Sequence, residues 1–222
     1  MTQNALIIGA SGGIGAAVAH RLETDGWRVT RLSRAQDGLE ISDQASVDAH
    51  LSALAGPFEL VFMASGVLAA KGGTPEKALS QIRQDSFEEV FKINTFGVAY
   101  VLRHAPRLLP KKGRSVLAVL TARVGSIGDN HIGGWHAYRA SKAAANQLVR
   151  GAAIELGRSH KEAIAVALHP GTVATDFTAD YAARHSTVSP QDAAENLVTV
   201  MQGLSAAESG QFFDYAHKPI DW

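Results

Sequence analysis

Tyr138 and Lys142 stand four residues apart in Tyr138-Arg139-Ala140-Ser141-Lys142, so on a helix both project from one face. A phenol beside an ammonium is a device for moving protons. A free phenol ionises near pH ~10, too high for exchange at neutrality, and a neighbouring cation favours the phenolate, which lets Tyr138 act as acid or base. The same spacing recurs by chance on surface helices; it gains meaning from a second feature near the start of the chain. Gly9-Ala10-Ser11-Gly12-Gly13-Ile14-Gly15 follows a short apolar run and opens a helical pattern. Gly9 permits the tight turn, Gly13 lets backbone approach a pyrophosphate, and Gly15 allows helix to pack on strand, while the N–H groups around Ser11, Ile14 and the helix start can bind an anion. The spacing is Gly-x-x-x-Gly-x-Gly, a variant of the commoner dinucleotide fingerprint. An oxidised nicotinamide held there would add positive charge near Tyr138. Past the second apolar run come Ser33 and Arg34, a hydroxyl and a forked cation suited to a ribose 2′-phosphate, which predicts NADP(H) in preference to NAD(H).

Positioning these groups requires strands that end beside one another. Strand-like runs are expected at Ala5 to Ile8, Arg28 to Leu32, Leu60 to Met63, Ser115 to Leu120, Ala163 to Leu168 and Gln211 to Phe213, with a shorter one at Glu40 and Ile41. Between them, Ile14 to Asp25, Val47 to Ala55, Ser86 to Leu109, His136 to Arg158 and Pro190 to Met201 carry apolar residues at helical spacing. This alternation predicts an α/β fold, a doubly wound, Rossmann-like parallel sheet with helices on both faces, in a single domain spanning residues 1–222. Thr74-Pro75-Glu76 and Ser189-Pro190-Gln191 each read as a hydroxyl cap followed by proline at the first helical position.

Lys plus Arg and Asp plus Glu each number 21 in the 222 residues, so the net charge is zero and no nucleic-acid partner is expected. The chain has no cysteine, which excludes disulfides and thiolate metal sites and fits a reducing compartment. An apolar strand begins within a few residues of Met1 without a basic leader, and no apolar run approaches the ~20 residues that cross a bilayer; a cytoplasmic protein, soluble and without a membrane partner, is expected. His131, His136 and His169 lack the spacing of a zinc site, and no metal is expected. Glu88 and Glu89 are adjacent, diverge around a helix and cannot face each other as an acid pair. Ser11 and Ser141 lack the setting of a hydrolytic nucleophile. Lys111, Lys112 and Arg114 read as a solvated basic loop.

Together GASGGIG, Asn94-Thr95-Phe96-Gly97, YRASK and Pro170-Gly171-Thr172-Val173-Ala174-Thr175 resemble the short-chain dehydrogenase/reductase superfamily over nearly the whole chain. Within it, ARVGSIGDN, GGW, YRASKAAAN and the ending GQFFDYAHKPIDW are similar to a C-factor-like carbonyl reductase branch. The resemblance implies hydride transfer between nicotinamide and a small carbonyl or alcohol, with Tyr138 as acid/base, Lys142 as its partner and Asn94 in a water relay from the lysine to solvent. It implies cofactor contacts at Pro170, Gly171, Val173 and Thr175, and at Ser65 and Gly66 of Met63-Ala64-Ser65-Gly66, where Met63 replaces the usual asparagine. Glu40 or Asp43 would accept from the adenine amino group. Simple alignment places Ala122 where the family's carbonyl-orienting serine belongs; of the two flanking hydroxyls, Thr121 and Ser126, Ser126 is preferred because a loop residue can fold back over the cleft. Gly171 to Ser189, with Phe177, Tyr181, Arg184 and His185, would form a short lid over a small or partly exposed substrate. A homodimer or homotetramer is expected through the helices carrying Asn94 and Tyr138. The missing serine leaves a rival open, a non-catalytic nucleotide-binding sensor or signalling protein on the same fold.

Overall fold

Short β-branched and aliphatic runs can bury themselves on both faces only inside a parallel sheet covered twice by helices. In the computed structural model, which describes residues 2–175, 177–178 and 187–222, they do so. The strands are β1 (Asn4–Ile8), β2 (Arg28–Leu32), β3 (Leu60–Met63), β4 (Ser115–Leu120), β5 (Ala163–His169) and β6 (Phe212–Asp214). They form one sheet in the order β2-β1-β3-β4-β5-β6, all neighbours parallel. The chain moves outward from β1 to β2 and returns to the other side at β3, which opens a crevice at the carboxyl ends of β1 and β3.

The helices are α1 (Gly13–Thr24), α2 (Arg34–Asp37), α3 (Gln44–Ser52), α4 (Gln84–Phe91), α5 (Gly97–Leu102), α6 (Ala105–Leu108), α7 (His136–Ser159) and α8 (Pro190–Gly203). Alternation along β5 shows how the layers form. Ile164, Val166 and Leu168 join Val18 and Leu22 of α1 and Leu197 and Met201 of α8 in one core. Ala163, Ala165 and Ala167 face the other way, where their small side chains let Ala145, Val149 and Leu156 of α7 lie close to the sheet. Each fully buried Leu, Ile or Val contributes about 2 kcal/mol, and both faces are continuous.

Four expectations change. Glu40 and Ile41 form no strand; Glu40 is instead tied to the turn before α3 through Ser42 and Ser46. The long helix expected from Ser86 to Leu109 is α4, a π turn at Lys92–Phe96, α5 and α6 in succession, with the break falling at Asn94. Thr74-Pro75-Glu76 starts no helix and belongs to an irregular stretch before a short 3-10 turn at Leu79–Gln81. Arg114 is not simply solvated, because its guanidinium donates to the carbonyls of Met201, Gln202 and Leu204 and closes the C-terminal end of α8. The cap expected at Ser189 is present: its Oγ accepts from Asp192 N at 3.0 Å and Asp192 reciprocates.

Candidate active site

On the nucleotide side, β1 turns into α1 through Gly9, whose φ of +87° is left-handed and strained for any L side chain. A Cβ there would lie 2.9 Å from Ser65 N and Oγ at the tip of β3, and a Cβ on Gly15 would overlap the Gly9 carbonyl. The cap residue of α1, Gly12, offers no side chain to the first turn and no acid stands in that turn, so its amides are open to an anion. Ser11 and Gly13 are exposed beside them. Opposite, the segment after β5 brings Thr175 against the loop, its methyl 2.7 Å from where a Gly13 Cβ would be, while Gly171 in the same segment lies against Tyr215 and Val173 pairs with Val188. A cradle of backbone donors with no room for side chains fits a dinucleotide pyrophosphate.

At the end of β2, Ser33 is buried and its Oγ accepts from Gln36 N at 3.2 Å, so it caps α2, with Asp37 Oδ2 also 3.2 Å away. Arg34 is the freer group: its side chain is 76 % exposed and only loosely paired with Glu40, at 3.8 Å.

On the proton-transfer side, Tyr138 and Lys142 lie on the first turns of α7 and are only 6 % and 4 % exposed. Lys142 Nζ donates to Leu120 O at 3.1 Å and sits 5.8 Å from the centre of the Tyr138 ring. A Cβ on Gly66 would come within 3.1 Å of that Nζ and 3.2 Å of Asn94 Oδ1, so glycine is what lets β3's tip reach the pair. Burial pushes Lys142 down to about 8 and Tyr138 well above its usual value. At neutral pH, then, Lys142 stays largely an ammonium, and the phenol needs additional positive charge to ionise.

Asn94, fully buried in the π turn, accepts from Val67 N at 2.8 Å and donates to Val67 O at 2.8 Å and Ser141 Oγ at 3.1 Å. Ser141 Oγ in turn donates to Tyr138 O, and Thr95 Oγ1 to Ser141 O. Ser141 is therefore a link between the π turn that carries Asn94 and α7. Its lack of a hydrolytic setting in the sequence says nothing of this role, which only the fold reveals.

Ser126, buried at the end of the 3-10 turn Arg123–Gly125, uses its Oγ to accept from Asp129 N at 3.0 Å. Thr121, at the tip of β4, is 3 % exposed and its Oγ1 has no hydrogen-bond partner among the described residues. His169 at the tip of β5 is buried too; burial and Arg123 push it down to about 4, against the opposing pull of Asp214, so it is neutral. Trp135 and Phe177 flank the Tyr138 ring at 6.1 and 6.0 Å between centroids. Of the expected lid residues, Tyr181, Arg184 and His185 lie outside the described residues.

A glycine turn at the carboxyl end of β1 and a buried tyrosine-lysine pair at the carboxyl end of β4 thus share one edge of the sheet, and a family model described as enoyl-(acyl carrier protein) reductase matches residues 38–202. The chain belongs to the short-chain dehydrogenase/reductase superfamily. It is 32 % identical to a 1-hydroxy-2-glutathionyl-2-methyl-3-butene dehydrogenase of Rhodococcus sp. (strain AD45), over 93 % of this chain and 94 % of that one. It is 34 % identical to C-signal of Myxococcus xanthus over 65 % of this chain and 84 % of that one. In fold it is similar to a short-chain dehydrogenase/reductase from Burkholderia multivorans with bound NADP, at a TM-score of 0.82, 22 % identity and full coverage of both chains. It also resembles an NADPH-bound carbonyl reductase from chicken fatty liver, at a TM-score of 0.80 and 21 % identity, over 100 % of this chain and 94 % of that one. As a short-chain dehydrogenase/reductase the chain is an oxidoreductase, built on the six-stranded sheet described above. Among the described residues no helix is long and apolar enough to cross a membrane.

Proposed function

We propose that this short-chain dehydrogenase/reductase prefers NADP(H) and interconverts a small carbonyl compound and its alcohol. The observation that carries the reading is the burial of Tyr138 beside Lys142, whose Nζ donates to Leu120 O at the carboxyl end of β4. When bound, the dinucleotide supplies or accepts the hydride. Tyr138 gives its proton to the carbonyl oxygen in reduction and takes it back in oxidation, and Lys142 favours the phenolate left behind. With the Asn94 side chain committed to Val67 and Ser141, its relay role would run through the main-chain carbonyl and a water.

Gly9, Ser11, Gly13, Ile14, Gly15, Ser65, Gly66, Pro170, Gly171, Val173 and Thr175 would line the cofactor, with Ser33 and Arg34 at its ribose phosphate. The exposure of Arg34 supports NADP(H), and so does the bound NADP of the Burkholderia multivorans protein of similar fold. Ser126 would orient the substrate oxygen. A second reading, Thr121 in that role, is favoured by its hydroxyl, which has no partner among the described residues, whereas Ser126 already serves Asp129. The similarity to C-signal supports the C-factor-like branch. A cytoplasmic homodimer or homotetramer completes the proposal, and exposed Phe96 and Ile154 on the helices concerned support the assembly.

The test is NADPH oxidation with a panel of aldehydes, ketones and diketones, comparing the parent with Tyr138→Phe. Turnover that disappears in the variant is expected. Equal rates in both would instead favour the nucleotide-binding sensor, which the missing hydroxyl at Ala122 makes the one competing reading.

A further inference from the structure

Glu76 lies far from α7 in sequence and forms part of no regular element, yet it is only 6 % exposed. Its Oε2 accepts from Ala137 N at 3.2 Å, and its main-chain carbonyl accepts from Trp135 N at 2.5 Å. A Cβ on Gly134 would stand 3.3 Å from the same carbonyl, so the two strands of chain lie against each other without a gap. The helix they meet needs such help. Its cap residue, Trp135, takes a left-handed φ of 52° and provides no side-chain cap, and the first turn holds no acid. A buried carboxylate supplied from elsewhere satisfies a first-turn amide and complements the positive end of the helix.

The other end of the same irregular stretch is fixed as well: Val67 is bonded twice to Asn94, and Lys71 N donates to Glu89 Oε1 at 2.9 Å. Residues 67–76 therefore bridge two ends of the proton-transfer machinery, Asn94 on one side and the start of α7 on the other. Tyr138 is the residue directly after the amide that Glu76 holds, and the Trp135 ring packs edge-on against it. A small rotation of that first turn would carry both rings with it, and misplacement of a proton donor by a fraction of an ångström is costly to catalysis.

We infer that Glu76 is a positioning residue for the reaction: its carboxylate fixes the entry of α7 and so aims Tyr138 and Trp135 at the substrate. The inference rests on the acid/base role proposed for Tyr138. It is tested on the full chain with NADPH present, by steady-state kinetics and by hydrogen exchange of the segment 135–138. Glu76→Ala is expected to lower kcat about tenfold with NADPH affinity and KM little changed, and to speed exchange of that segment about fivefold. Glu76→Gln, which keeps an acceptor oxygen, is expected to restore most of both. Should Glu76→Ala fail to fold, Glu76→Asp, with the carboxylate withdrawn by one methylene, must show the same pattern in smaller measure. Unchanged kcat in the folded variant overturns the inference, as does an equal loss in Glu76→Gln with exchange unaltered, because the group would then not act by positioning. If the parent itself turns over no carbonyl, the oxidoreductase reading fails separately and the exchange result alone decides whether Glu76 fixes the helix.

Discussion

The two halves of the proposed site, one for nucleotide and one for proton transfer, are built by different means. The nucleotide half is local: Gly9 to Gly15 shape it through their own backbone, and its partners, Ser65 and Thr175, contribute close contacts rather than a bonded network. The proton-transfer half is assembled from a distance. Tyr138, Ser141 and Lys142 of α7 meet Asn94, Val67, Leu120 and Glu76 from other parts of the chain, joined by hydrogen bonds among buried and half-buried groups. Recognition of a diphosphate needs only free amides at a helix start, whereas proton transfer needs a phenol held against several directions of movement. Backbone shape provides the first, and a satisfied buried network provides the second.

The contrast predicts which property each substitution disturbs. Tyr138→Phe should lower kcat by about a factor of 10² to 10⁴ while leaving NADPH binding, followed by fluorescence titration, nearly unchanged. Asn94→Ala should affect chemistry and stability together, since it removes both partners of the half-buried Val67 N and O; a loss of about 1–3 kcal/mol in urea unfolding is expected, with kcat also depressed. Gly9→Ala should do the reverse of Tyr138→Phe, weakening NADPH binding by about tenfold or more through positive φ and the clash with Ser65. A parallel fall in kcat at saturating NADPH would erase the division between the halves. Arg34→Ala should cut the NADPH-to-NADH affinity ratio by about tenfold, and Glu40→Gln, by freeing the guanidinium, should raise it modestly.

The smallest expected effect concerns pH and the ligand-free protein. Lys142 falls from 10.5 to about 8 on folding, so between those values the unfolded chain binds more protons than the folded one. Stability should therefore climb as pH rises from about 8. Tyr138, raised by burial, keeps its proton in the folded state beyond the point where the unfolded chain loses it, and should reverse the trend above about pH 10. Lys142→Met should flatten the climb in denaturant titrations taken at successive pH values; a climb that persists would place its origin elsewhere.

The same division explains what could be read before the fold was known. The β1-loop-α1 unit is legible because its meaning lies in neighbouring residues, and β2, β3 and β4 fall where alternating runs place them, down to their end residues. Long-range partnership is what escapes. Thr74-Pro75-Glu76 carries the local signature of a helix start, yet the glutamate caps another helix far along the chain. Ser33 resembles a phosphate ligand by position, but its hydroxyl is shared with Gln36 and Asp37. Ser141 has no chemical signature at all, and its value comes from meeting Asn94. The apolar periodicity from Ser86 to Leu109 is genuine, yet periodicity cannot register the widened turn inside it.

That widened turn at Lys92–Phe96 has a consequence for how the chain tolerates change in length. An α-helix advances about 100° per residue, so removing a single residue between Phe91 and Gly97 would let the ladder close into regular α-helix while swinging the preceding side chains by about that angle against the following ones. Such a deletion would improve local helical geometry and still turn the Asn94 amide away from either Val67 or Ser141. Here an irregular turn is retained at the expense of a better helix, and an indel that tidies the backbone would be read out as a dead enzyme.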